Sequence, residues 1–297
     1  MVIEYASELQ GVRVPTLVCV GQDAAVSTLL ALPGDLLAIG SNRGNVHIWD
    51  MQANLLLSCF PVHSSWVFSL VLCDADMLAS GSKVPFISLT RLSTGVGCGS
   101  LIGHSEAVYC MAPLARGRLA SGSRDHSVRI WNLETSVCLL VLSDHRDVVS
   151  AMCVLNEELL VSGSHDGTLK VWNIDVGTCM RTIYVETGVK SLCVLSDCRL
   201  AAGMIDGMIL IIDSQSPDVP VRSLNTTNKI VFAMVELDDG RLVSGTQDGQ
   251  IRVWDLSLGA LVRTIDGVGL CTTSLAVLAG GLLVSASIQS DHVMLWR

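Results

Sequence analysis

The sequence predicts an all-β chain built from seven copies of one four-stranded antiparallel sheet, and three observations predict it. The stretch 117–132, GRLASGSRDHSVRIWN, returns in close copies along the chain. Aligned on the Trp near its end, the copies fall at Trp49, Thr90, Trp131, Trp172, Ile212, Trp254 and Trp296, in steps of 41, 41, 41, 40, 42 and 42 residues. Each copy joins a small-residue run to an apolar run through a polar turn such as Asp166-Gly167, Asp206-Gly207 or Asp248-Gly249, which is a β-hairpin signature. A period of ~40–45 residues fits four-stranded blades and helical repeats alike. The Ser-Gly-Ser runs and Asp-Gly turns decide against helices, because they are poor material for a helix interior. A second turn column runs through Gly34, Ala75, Arg116, Glu157, Asp197, Asp239 and Gly280. Two hairpin turns per unit make three strands, and the segment linking one unit to the next supplies a fourth.

The residues then resemble a family. Gly103-His104, Ser121, Asp125 and Trp131-Asn132, with Trp49-Asp50 and Trp254-Asp255 elsewhere, look like the WD40-repeat β-propellers, and the resemblance covers essentially the whole chain. It implies a seven-bladed β-propeller, a ring of four-stranded antiparallel blades around a central channel. The repeats leave no room for a second unit, so residues 1–297 are expected to form a single domain.

Taken in order, residues 1–11 are a lead-in, and 12–20 match the segments that link units. The last unit ends on its third strand, at Trp296, so the segment 12–20 is expected to complete blade 7 and close the ring, removing an open edge. Blade 1 carries Trp49. Blade 2 departs most, with Thr90 at the Trp position, Val84 at the turn Asp and Pro85 beside it. Blades 3 and 4 are regular. Blade 5 keeps Asp206 but has Ala202 and Ile212 where Ser and Trp are expected, and the stretch from Asp213 to Asn228 reads as a loop plus one strand. Blade 6 regains Ser244, Asp248 and Trp254, whereas blade 7 has Val268 where the family has His.

Half the residues are hydrophobic and only 16% are charged. The apolar runs are far shorter than the roughly 18 residues of a membrane-spanning helix, so no membrane insertion is expected. Blade stacking, which buries both faces of a strand, is the better account. A net charge of −9 without a basic patch disfavours nucleic acid as a partner. The eleven Cys, an odd number without CxxC pairs, read as reduced core residues and argue for a cytoplasmic or nuclear protein with no metal site. No phosphate loop or other cofactor motif is present in the sequence, so no cofactor is expected.

Ser, His and Asp invite a hydrolase reading, which fails on repetition. His104, Ser121, Asp125 and Trp131 recur as His145, Ser162, Asp166 and Trp172, and in part as Ser244, Asp248 and Trp254. A catalytic triad needs one exposed nucleophile beside an oxyanion hole. The family resemblance implies a structural tetrad in which Asp accepts from His, His bonds Ser, and Ser meets the Trp N–H. No catalytic residue is assigned.

Function is expected elsewhere. The residue after the Val (Thr in blade 7) that opens each first strand is Ser27, Phe68, Tyr109, Ser150, Lys190, Phe232 and Thr273. In the family this column resembles the channel-mouth rim of propellers that capture short peptides. Three of the chain's seven Phe and Tyr fall there, and Trp66 stands two residues before Phe68. Lys83, Arg124 and His165, just before the turn Asp column, should share that face. The competing reading is that the aromatics only fill space between blades. Aromatics and Arg on a concave face are the usual binding anchors. The expected partner site is therefore Phe68, Tyr109, Phe232, Trp66, Lys190, Arg124, Lys83 and His165, over blades 2 and 3. It suits an acidic or aromatic-containing peptide. The function implied is a non-catalytic scaffold or adaptor that binds a protein or peptide on the loop-bearing face. The alternative is a structural or oligomer subunit whose contacts run through the propeller sides.

Overall fold

A computed structural model describes residues 16–19, 25–214, 222–267 and 271–296, and all its regular structure is strand. Blade 1 comprises Val26–Leu32, Leu36–Ser41, Asn45–Asp50 and Leu55–Pro61, hydrogen-bonded side by side in chain order from the innermost strand outward. Blades 2 to 6 repeat that order. Blade 2 starts at Val67–Leu72 and ends at Gly97–Ile102, and blade 3 comprises Val108–Leu114, Arg118–Ser123, Val128–Asn132 and Cys138–Leu142. Blade 4 starts at Val149–Val154 and ends at Thr178–Tyr184, and blade 5 comprises Val189–Val194, Leu200–Met204, Met208–Ile212 and Arg222–Asn225. Blade 6 runs from Val231–Glu236 to Ala260–Asp266, and blade 7 holds Ser274–Leu278, Leu282–Ala286 and His292–Trp296. Each first strand lies against the first strand of the next blade, and that of blade 7 lies against that of blade 1, which makes the ring.

The ring is closed by Thr16–Cys19. It pairs antiparallel with the last strand, Thr16 opposite Leu295 and Cys19 opposite His292, as the outer strand of blade 7. The sequence placed this strand within 12–20, of which 12–15 and 20 lie outside the described residues. Val268 lies outside them too. Among the described residues no helix is long and apolar enough to cross a membrane.

Turn chemistry follows the sequence. The Asp-Gly turns put Gly167, Gly207 and Gly249 at φ of 77°, 92° and 79°, a region that favours Gly. At Gly207 a Cβ would run into the Lys229 backbone nitrogen, so the turn excludes a side chain on steric grounds as well.

The core lies in the gaps between blades. Leu119 and Trp131 of blade 3 pack with Ile87, Leu89 and Leu101 of blade 2, and each of the seven gaps holds such a cluster. Strands with both faces buried are found in the second and third positions of a blade, as in Leu36–Ser41 and Leu242–Thr246. Outer strands correct that expectation, since on Gly97–Ile102 only Leu101 is buried and Ala260–Asp266 has no buried residue. Adjacent blades diverge with distance from the ring axis, so the outermost strands lose their neighbours. The cysteines follow the same geometry. All ten described are free, but only Cys110 is fully buried, and Cys59 and Cys98 on outer strands are exposed.

Candidate functional site at the channel mouth

One local irregularity aims the candidate residues. In blades 1 to 6 the ladder between first and second strands skips one residue of the first strand, and the skipped residues are Ser27, Phe68, Tyr109, Ser150, Lys190 and Phe232. Each is the extra residue of a β-bulge, which bends the strand and re-aims the side chain. Thr273 of blade 7 stands just ahead of its ladder, which begins at Ser274. The column seen in the sequence is thus a ring of bulges on the innermost strands.

The turn column shares the face. The backbone N–H of Lys83 donates to Trp66 O at 3.0 Å, that of Arg124 to Ala107 O at 2.9 Å, and that of His165 to Val148 O at 2.9 Å. Asn42, Ile205 and Gln247 do the same with Ala25, Gly188 and Ile230. Each acceptor lies just ahead of a bulged residue, so turn and bulge are held together at one end of the channel. Lys83 and Arg124 are exposed there and His165 is half-buried.

Four of the bulged side chains converge. The rings of Phe68 and Tyr109 stack with centroids 4.9 Å apart and planes 15° apart, and Trp66 lies 6.4 Å from Phe68. Lys190 reaches from blade 5 so that its ammonium sits 5.5 Å from the Tyr109 ring centre in blade 3 and 5.7 Å from Phe232 in blade 6. These are cation–π distances. All five residues are half-buried. The two remaining serines do something else. Ser27 Oγ lies 2.6 Å from Val67 O and Ser150 Oγ 2.5 Å from Val189 O, so each binds the first strand of the next blade. The pocket expected over blades 2 and 3 therefore extends across the channel to blades 5 and 6. Nothing in the linear sequence brings Lys190 to Tyr109 across an intervening blade; only the ring does.

The electrostatics are unbalanced. Among the described residues no carboxylate lies within ion-pair distance of Lys190, and burial holds its ammonium below the usual lysine range. Burial also lowers the His165 imidazole, and the Lys190 charge adds to that. His165 Nε2 is buried without a hydrogen-bond partner. An anion entering here would meet one cation without a counter-ion and one imidazole Nε2 without a partner among the described residues.

The Ser, His and Asp sets are internal fastenings. In blade 3, Trp131 Nε1 donates to Ser121 Oγ at 2.8 Å, Ser121 Oγ lies 2.7 Å from His104 Nε2, and His104 Nδ1 lies 2.7 Å from Asp125 Oδ2. Blade 4 repeats the set with Trp172, Ser162, His145 and Asp166 at 2.8, 2.7 and 2.9 Å. Ser121 and Ser162 are fully buried, so neither presents a nucleophile to solvent. The departures also have physical consequences. With Ile39 at the Ser position, Trp49 Nε1 has no partner among the described residues, and with Val84 at the Asp position neither has His63 Nδ1. In blade 6 the buried Arg252 replaces the imidazole, its Nη2 2.7 Å from Asp248 Oδ2, and holds that carboxyl down at about 2 against the opposing effect of burial.

Compared with known proteins, the chain matches the family model described as WD domain, G-beta repeat at residues 95–132, 136–173 and 218–255. A search of the curated proteins finds no match. Each matched stretch begins near the outer strand of one blade and ends on the third strand of the next, covering blades 3, 4 and 6. That offset between repeat and blade is why an N-terminal strand is needed to close the ring.

Proposed function

The chain belongs to the WD40-repeat family of β-propellers, generally protein-interaction scaffolds, and from that premise we propose that it captures an acidic, aromatic-containing peptide at the channel mouth. The observation that carries the reading is the Lys190 ammonium, held between the Tyr109 and Phe232 rings with no carboxylate at ion-pair distance among the described residues. A peptide carboxylate supplies the missing counter-charge, and an adjacent aromatic side chain extends the Phe68–Tyr109 stack. Lys83 and Arg124, exposed on the turns, add positive charge at the rim. In this reading the protein is a non-catalytic adaptor. Phe68→Ala with Tyr109→Ala removes the stack and Lys190→Met removes the charge while keeping the stem. Both should retain the wild-type fold and lose peptide. Undiminished binding by both would overturn the proposal.

A second reading has its own observation. Leu55 and Leu57 of blade 1, Val137, Leu139 and Val141 beside or on the outer strand of blade 3, and Val262 of blade 6 are each about half exposed. Apolar side chains exposed on the outer strands of separate blades suit contacts made through the propeller sides. A concentration-dependent oligomer, unaffected by Lys190→Met, would favour it.

A further inference from the structure

Blade 5 has lost three of the four residues that fasten blades 3 and 4. Val185 stands at the His position, Ala202 at the Ser and Ile212 at the Trp, and only Asp206 remains. In blades 3 and 4 the indole packs toward the preceding blade, Trp131 against blade 2 and Trp172 against blade 3. On the same side of blade 5 a cavity of about 560 Å³ has Val185, Glu186, Thr187, Asp206, Met208 and Leu210 among its lining residues. Met208 and Leu210 belong to the cluster shared with blade 4, which places the cavity in the gap between blades 4 and 5.

The polar groups around it are incomplete. Asp125 Oδ2 takes His104 Nδ1 at 2.7 Å and the Ser105 N–H at 3.0 Å, and Asp166 Oδ2 takes His145 Nδ1 and the Arg146 N–H, both at 2.9 Å. Asp206 keeps only the turn bond, Met208 N to Oδ1 at 3.0 Å, and its Oδ2 takes no donor among the described residues. Thr187 Oγ1 is buried with no partner among the described residues. Arg222 also lines the cavity and its Nη1 is buried with no partner among the described residues, although the guanidinium packs over Gly259 of blade 6 and so away from Asp206. The cavity thus offers two carboxylates, Asp206 and Glu186, one unsatisfied hydroxyl, and a wall of methionine and leucine.

We propose that this cavity binds a primary ammonium group on an apolar stem. The ammonium donates one N–H to Asp206 Oδ2, in the place of the vacated imidazole, and a second to Thr187 Oγ1. The stem lies against Met204, Met208 and Leu210, whose flexible side chains accept varied shapes. The site is separate from the channel mouth. The ammonium can come from a free alkylamine or from a lysine side chain of a partner protein, and two probes distinguish them.

The test is calorimetric titration of the full chain with n-butylammonium chloride and with a blocked tripeptide, acetyl-Gly-Lys-Gly-amide, at fixed ionic strength. Saturable binding of either supports the site: the amine alone marks a small-molecule ligand, and the peptide alone marks a partner's lysine. Asp206→Asn should weaken binding about tenfold or more, the loss of one charge-assisted hydrogen bond. Val185→His should restore the imidazole, abolish binding and keep or raise the melting temperature. Phe68→Ala with Tyr109→Ala should change nothing. No saturable binding of either probe, or wild-type affinity retained in Asp206→Asn or in Val185→His, overturns the proposal. Should Val185→His fail to fold, Asp206→Asn decides alone.

Discussion

Replacing Ser121 by Ala tests whether the Ser, His and Asp sets are fastenings. Ser121 is fully buried, and its hydroxyl accepts from Trp131 Nε1 at 2.8 Å and meets His104 Nε2 at 2.7 Å. The substitution removes one oxygen and orphans both rings. A buried group left without its partner costs about 1–3 kcal/mol, so the two together should lower stability by about 2–6 kcal/mol. Blade 2 supplies the control. His63 Nε2 lies 3.0 Å from Ser80 Oγ and 2.9 Å from Ser80 O, and no Trp stands at Thr90. Only a protonated Nε2 can bond a carbonyl, so His63 carries its proton there and leaves Nδ1 bare, the reverse of the tautomer in which His104 donates from Nδ1 to Asp125. Ser80→Ala leaves the carbonyl bond in place and should cost under about 1 kcal/mol. Equilibrium urea unfolding, followed by fluorescence of the six Trp, compares the two variants. A Ser121→Ala loss below about 1 kcal/mol, or equal losses in both variants, would refute the network. Peptide binding should be unchanged in the folded Ser121→Ala protein.

Two other outcomes follow from the same contacts. Burial depresses the folded-state pKa of His63 and His145 below 6.5, so the unfolded chain binds protons first. Their contribution to stability is full above about 6.5 and lost as pH falls through the folded values. Asp248, held at about 2 by Arg252, adds stability that is lost from about pH 4 down to about 2. Urea midpoints measured from pH 8 to 3 should therefore be flat at first and then fall in two stages; stability rising below pH 6 would contradict the burial argument. Deleting residues 1–20 strips the partner of His292–Trp296 and should lower the melting temperature by roughly 5 °C or more, at about 2–4 °C per kcal/mol for a domain of this size. An unchanged melting temperature would show that ring closure contributes nothing.

Much of this fold was legible because a repeat reports each feature several times over. The 41-residue step, the two turn columns and the Trp column set the blades, and the strand at Thr16–Cys19 followed from a last unit one strand short. The tetrads were legible for the same reason, since one Ser, His and Asp set suggests chemistry and two identical sets suggest construction. The rim column was visible at Phe68, Tyr109 and Lys190, but its mechanical cause, a bulge in six blades, was not, because a skipped residue leaves no mark on composition. The reach of Lys190 to two rings depends on ring curvature, and so does the exposure of the outer strands with Cys59 and Cys98. Blade 5 is the instructive case. Its losses at Ala202 and Ile212 were plain in the sequence, yet what they leave behind, a cavity beside a carboxylate short of donors, emerges only when the neighbouring blade is in place.

Selection of peptides from a random-sequence library on the wild-type protein tests the central claim most directly, with the enriched peptides then titrated against Lys190→Met and against Phe68→Ala with Tyr109→Ala. The account predicts enrichment of Asp or Glu beside an aromatic residue, and loss of binding in both variants without loss of melting temperature. Enriched peptides that lack acidic residues, or that bind both variants as tightly as wild type, would contradict it.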